Sequence, residues 1–147
     1  MKQIHLVLGV VTIVLSGAAT AWGAWCWWRV QNSRWFWWLL RASQVAIVVE
    51  AALGGVLLLL GHKSPGLHTL YGVLPVFVSF LAEELRVSTA QIVLDKAGFE
   101  SAQAVGELPE AEQRAVVVTI IRREIGVMAL AALVNTVLLA RAAMTTH

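Results

Sequence analysis

Charge is scarce in this sequence: Asp, Glu, Lys and Arg together supply 14% of its 147 residues, against roughly a quarter in an ordinary soluble domain. No soluble fold of this length hides a 59% hydrophobic composition behind so few charges. A bilayer removes the difficulty, because lipid solvates the outward faces of the helices. The single cysteine, Cys26, excludes an internal disulfide and any cysteine-based metal cluster. Its place among tryptophans reads as that of a small apolar filler. Several catalytic templates are missing: no nucleophile elbow, no phosphate-binding glycine loop, no His-Glu-x-x-His and no Cys-x-x-Cys-His. Those absences argue against an independent hydrolase or kinase and against covalently attached haem. The net charge of +2 comes from basic residues scattered singly or in pairs, which is not the basic stripe of a nucleic-acid binder.

What is present is a series of apolar runs. Residues 4–28 form the first, long enough to span with some tilt and too long for the core of a signal peptide. A polar break with Gln31, Asn32 and Ser33 leads to a second run over 35–61, interrupted by Arg41, Gln44 and Glu50. Pro65 and Gly66 punctuate the next turn. The third helix is expected over 67–97, apolar to Ala82, kinked or loosened at Pro75 and amphipathic beyond Glu83, with Gly98 as its stop. Residues 99–108 read as a loop. Pro109 followed by Glu110 and Glu112 opens a fourth helix, 109–143, which at roughly 50 Å exceeds the hydrocarbon thickness. The expected fold is a single all-α domain, a four-transmembrane-helix up-and-down bundle with helices 3 and 4 extended into the cytoplasm.

Sidedness follows from the basic residues. Arg29, Arg34, Arg41, Arg86, Lys96, Arg114, Arg122 and Arg123 fall on one side, and Lys2, Lys63 and Arg141 on the other. The first group is expected in the cytoplasm and both termini outside. All seven tryptophans, from Trp22 to Trp38, bracket one loop and read as an interfacial belt; a quinone or lipid pocket among them is the alternative. Small residues (Gly17, Ala18, Ala19, Gly54, Gly55, Gly126, Ala129, Ala131, Ala132) mark close-packing faces.

The residues with most chemistry are the histidines. His5 begins helix 1, His62 ends helix 2, His68 begins helix 3 and His147 is last. In an up-and-down bundle helices 1 and 3 are diagonal partners, so His5 and His68 approach across the core in the manner of axial haem ligands. A copper or zinc ion on His5, His68 and His62 is the second option. Against both stands the ordinary reading of wet interface histidines. Glu50 lies near the expected bilayer midplane, where a carboxylate is costly and functional by default; Gln44, Tyr71 and Asn135 are its expected partners, and a protonated structural staple is the alternative. Arg41 is placed to snorkel toward the interface. Glu83, Glu84 and Arg86 share a level with Arg122, Arg123 and Glu124, and are expected to form a cytoplasmic charge cluster, structural rather than gating.

The stretch from Gln44 through Leu53-Gly-Gly-Val to Leu67-His-Thr-Leu-Tyr-Gly72, with the ending Arg141-Ala-Ala-Met-Thr, resembles a group of small, uncharacterised four-helix integral membrane proteins of bacteria. These share a Leu-His-x-x-Tyr-Gly opening to the third helix. The resemblance implies a four-span bundle in the bacterial inner membrane and a part for His68, Tyr71 and Gly72, and it supplies no activity. The extension over residues 85–114 departs from it. The expected role is a non-catalytic subunit or accessory protein of a larger membrane complex, such as a respiratory one, with the bilayer and other subunits or itself as partners. One rival is a haem b electron carrier using His5 and His68, with Tyr71 beside them. The other is a small oligomeric transporter or channel built on Glu50.

Overall fold

The structure, a computed structural model, describes residues 2–145; His147 lies outside them. Five helices follow one another: α1 (Lys2–Arg29), α2 (Arg34–Leu59), α3 (Gly66–Ala97), α4 (Ala102–Gly106) and α5 (Glu110–Met144). Proline fixes two of the starts, since Pro65 and Pro109 occupy the N-cap positions of α3 and α5 and cannot extend a helix backwards. Gly61 (φ 83°) and Gly98 (φ 78°) close α2 and α3 in the left-handed conformation that glycine adopts without penalty. Pro75 sits buried inside α3 without ending it. The segment 99–108, expected as loop, contains the short α4. Its N-cap is Ser101, whose Oγ accepts a hydrogen bond from the Ala104 N–H at 3.4 Å, as serine does at helix starts.

Three of these helices are long and apolar enough to cross a membrane: α1, α2 and α5. The expectation of four transmembrane helices is corrected here, because α3 does not reach that standard. His68, Thr69, Tyr71, Pro75 and Ser79 dilute its apolar half, and from Glu83 onward it carries Glu84, Arg86, Gln91, Asp95 and Lys96. The architecture is therefore five helices with three candidate spans, not a four-span bundle. α5 is central, packing against α3 and α1; α1 also packs on α2, and α2 more lightly on α3.

The packing seams follow a strict rhythm. On α1 the inward positions are Gly9, Thr12, Ser16, Ala19, Gly23 and Cys26. On α2 they are Phe36, Leu40, Ser43, Ile47, Glu50, Gly54 and Leu57. On α5 Ile125, Met128, Ala132, Asn135, Leu139 and Ala142 are buried. Each series alternates steps of three and four residues, which keeps one face toward its neighbour in left-handed heptad packing. The α1–α2 register is antiparallel and regular. Gly23 faces Phe36, Ser16 faces Ser43 and Gly9 faces Glu50, each step of seven down α1 matched by seven up α2.

Small and hydroxyl side chains on these seams have a physical reason. Helices in lipid gain nothing hydrophobic by meeting, so they associate through close backbone approach and interhelical hydrogen bonds. Ser16 and Ser43 hydroxyls lie 2.6 Å apart between α1 and α2. Those of Thr20 and Thr136 lie 3.3 Å apart between α1 and α5, and Asn135 Nδ2 donates to Ser79 Oγ at 3.0 Å between α5 and α3. Such bonds contribute about 0.6 kcal/mol each in a membrane. The outer faces are the reverse: Val14 (63% exposed), Val45 (64%) and Leu130 (61%) carry no protein cover.

Gly23 is the tightest point of the seam. A Cβ there meets Phe36 Cε2 at 2.5 Å and the Ala129 Cβ at 2.9 Å. Gly23→Ala is expected to destabilise by about 1–3 kcal/mol, the usual range for overpacking, when unfolding is followed in detergent micelles. Gly55→Ala, which meets nothing within 4 Å, should be neutral or slightly stabilising. Equal stability of the two variants would refute the seam.

Candidate ligand-binding cavity

α1 begins, α2 ends, α3 begins and α5 ends at the same pole of the bundle, because each neighbour runs antiparallel to the last. There the heptad seam of α1 and α2 opens. Beyond the Ser16–Ser43 pair the next positions are Gly9 and Glu50, and a cavity of about 460 Å³ replaces close packing. Its walls are mostly apolar, including Val10, Ile13, Leu57 and Leu139, and its polar groups are His5, Glu50, His62, Lys63 and His68 among others. That size and lining match a small-molecule site.

Glycine makes the room. A Cβ at Gly9 comes within 3.0 Å of Glu50 Oε1, and one at Gly54 within 3.5 Å of His5 Cε1. The Glu50 carboxyl thus takes space that a side chain at Gly9 would contest, while His5 lies in ordinary contact distance of the α2 face at Gly54. His5 Nδ1 lies 3.0 Å from Glu50 Oε1, close enough for an ion pair. The ring N–H is not directed at it, however, and both His5 Nδ1 and Glu50 Oε2 are buried without a hydrogen-bond partner among the described residues. Buried polar atoms of this kind are rare in native proteins and call for an explanation. Glu50 was expected beside Gln44, Tyr71 or Asn135; the structure puts His5 there instead. Asn135 binds Ser79, and Gln44 binds Arg41 and Glu83.

His68 reaches the same space from α3. Its ring centroid is 6.0 Å from that of His5, with the planes 77° apart, and its Nδ1 is 2.8 Å from the Ala142 carbonyl oxygen. The Nδ1–H donates there, which orients the ring. With metal–nitrogen bonds of roughly 2.0–2.1 Å, two imidazoles sharing one ion lie about 5–6.5 Å apart between ring centroids, a range that includes this spacing. A bare zinc or copper ion needs more protein donors than two, and no group of three His, Cys, Asp or Glu able to hold a metal converges among the described residues. His62 lines the cavity from an exposed position without completing such a set. Haem iron differs in taking four ligands from the porphyrin and needing only axial ones from the protein. Tyr71 does not line the cavity; it lies under the Arg141 guanidinium, 6.0 Å from its ring centroid.

The charged pole is organised around Glu83, differently from expectation. Arg41 on α2 forms a two-pronged pair with Glu83, Gln44 Nε2 donates to it at 3.0 Å and Arg86 Nε at 2.9 Å. The expected partners on α5 are elsewhere. Arg122 lies over the Trp27 ring at 5.3 Å, and Glu84, Arg122, Arg123 and Glu124 form no ion pair among the described residues. Arg86 also stacks on Trp37 at 5.6 Å, and the Trp22 and Trp37 indoles donate to Ser33 and Asn32 of the α1–α2 loop. Burial alone would push the Glu83 carboxyl up, but the hydrogen bonds from Arg41, Gln44 and Arg86, with the Arg41 charge, outweigh it and hold it at about 2 against an ordinary 4.5.

No protein-family model, curated protein or solved structure matches this chain. The cavity and the Glu83 cluster therefore stand on their own geometry.

A carboxyl depressed in the folded state stabilises the fold fully above its unfolded value and loses that contribution as pH falls through the folded one. Thermal stability in micelles should thus drop between about pH 4.5 and pH 2. Glu83→Gln should lower stability at neutral pH and flatten that drop; a variant with the wild-type pH profile would rule out the cluster as its source.

Proposed function

We propose that this chain is a multi-span membrane protein that acts as a non-catalytic binding subunit, holding a small, largely apolar molecule in the cavity between α1, α2, α3 and α5. The observation that carries this reading is the cavity itself, lined by His5, Glu50 and His68, with His5 Nδ1 and Glu50 Oε2 buried and without a hydrogen-bond partner among the described residues. Apolar walls favour a ligand delivered from the bilayer, and the histidine–carboxylate end orients its polar or metal-bearing part. The close-packing seams and the small mass outside the helices fit a component of a larger assembly. Under this reading the charged pole carrying Arg29, Arg34, Lys96, Arg122 and Arg123 faces the cytoplasm. The bacterial inner membrane is the location that goes with the resemblance to small bacterial membrane proteins.

A second, sharper reading is that the ligand is haem b, with His5 and His68 as axial ligands. The 6.0 Å spacing of the two rings and the carbonyl-anchored His68 Nδ1 favour it, since metal-bound histidines are oriented through the other ring nitrogen. A haem bound there would supply one-electron transfer. Glu50, which a channel reading would use as an ion site, serves here as the partner of His5.

The full-length protein, purified in mild detergent from haem-replete cells, should carry a stoichiometric non-covalent small molecule in native mass spectrometry. His68→Ala should lower its occupancy about tenfold or more, the effect of about 1.4 kcal/mol. A Soret band lost in that variant would identify haem; a ligand without one would leave the binding reading and remove the haem. Wild-type protein free of any small molecule would overturn both.

A further inference from the structure

A second pocket lies at the opposite pole, between the end of α1 and α5. It measures about 390 Å³ and is lined by Trp27, Val118, Thr119, Arg122, Arg123 and Gly126. Its chemistry is of one sign. Arg122 and Arg123 are exposed and have no carboxylate partner among the described residues, and Glu124, next in the chain, pairs with neither. This contrasts with Arg41 and Arg86 at the same pole, which both pair with Glu83.

The pocket is built rather than incidental. Arg122 lies over the Trp27 ring, its guanidinium carbon 5.3 Å from the centroid, and its N–H groups have no hydrogen-bond partner among the described residues. Gly126 brings the indole against α5, since a Cβ there meets Trp27 Nε1 at 2.9 Å. That N–H has no acceptor among the described residues, whereas the Trp22 and Trp37 indoles each have one. Both arginines and the indole thus line one open space, and guanidinium forks are suited to phosphate oxygens.

Depth says where the phosphate would come from. Residues 125–140 of α5 carry no charge and span roughly 24 Å at 1.5 Å per residue, close to a hydrocarbon core. Arg122 and Arg123 therefore sit one step outside it, at headgroup level, beside the tryptophan belt. We propose that Trp27, Arg122 and Arg123 bind the phosphate of an anionic membrane lipid. The site rests on the membrane reading of the chain but not on the ligand cavity at the other pole.

The test is titration of the full-length protein with phosphatidylglycerol in native mass spectrometry, beside phosphatidylcholine. Phosphatidylglycerol should bind more tightly, and Arg122→Gln with Arg123→Gln should weaken it roughly thirtyfold, at about a factor of five for each cation near the headgroups. Trp27→Phe, which keeps the ring and loses the donor, should weaken it several-fold. Arg29→Gln with Arg34→Gln removes the same charge from the same pole and should change binding less than about twofold. Equal weakening by that control pair would reduce the site to general surface charge and overturn it. So would displacement of the lipid by inorganic phosphate at comparable concentration, which would make it a free-anion site, or wild-type affinity in the double variant.

Discussion

The close approach of α1 to α2 and α5 is the constraint on which the rest depends. It is possible only because the α1 seam is made of Gly9, Thr12, Ser16, Ala19, Gly23 and Cys26, none larger than a threonine or cysteine. Large apolar side chains that a soluble bundle would turn inward instead point out, as at Val14, Val45 and Leu130. The fold is thus inverted in the sense expected of lipid-covered helices: contact by small residues and hydroxyl pairs inside, oily bulk outside. α3 packs on α5 and, more lightly, on α2, and its second half carries Glu84, Arg86, Gln91, Asp95 and Lys96.

The same rhythm produces both poles. At one end the seam is filled by Phe36 and Ile125, and the surrounding tryptophans and arginines meet at a boundary. Toward the other end the matched positions become Gly9 opposite Glu50 and Gly54 opposite His5. Continuing the register past Ser16–Ser43 exchanges a hydroxyl pair for a carboxylate beside an imidazole, and the cavity opens because nothing large stands opposite either. His68 enters from the diagonal helix, anchored on the last turns of α5 by the Ala142 carbonyl. The buried polar groups are placed by the packing seam itself.

Much of this was legible in the sequence, and the exceptions are instructive. Helix positions could be read because Pro65, Gly98 and Pro109 punctuate long apolar runs, and the meeting of His5 with His68 followed from diagonal placement in an antiparallel bundle. The sequence suggests four spans where the structure supports three, because His68, Tyr71, Pro75 and Ser79 dilute the apolar run that opens α3. The partner of Glu50 was missed although the signal was there: the three-and-four spacing from Phe36 to Leu57 puts Glu50 on the seam facing α1, one heptad beyond Ser43. α4 was missed because five residues leave no periodicity, only the serine cap at Ser101. The charge cluster was assigned to α5 by level along the axis, which sets height but not which face of a helix a residue occupies.

The central claim is that α1, α2 and α5 have lipid as their outer solvent. Spin labels at Val14, Val45 and Val137, all outward-facing, test it directly in the protein reconstituted in nanodiscs. Collision with dissolved oxygen well in excess of collision with a polar nickel chelate at all three positions is the predicted result. Chelate access matching that of a water-exposed helix would contradict it.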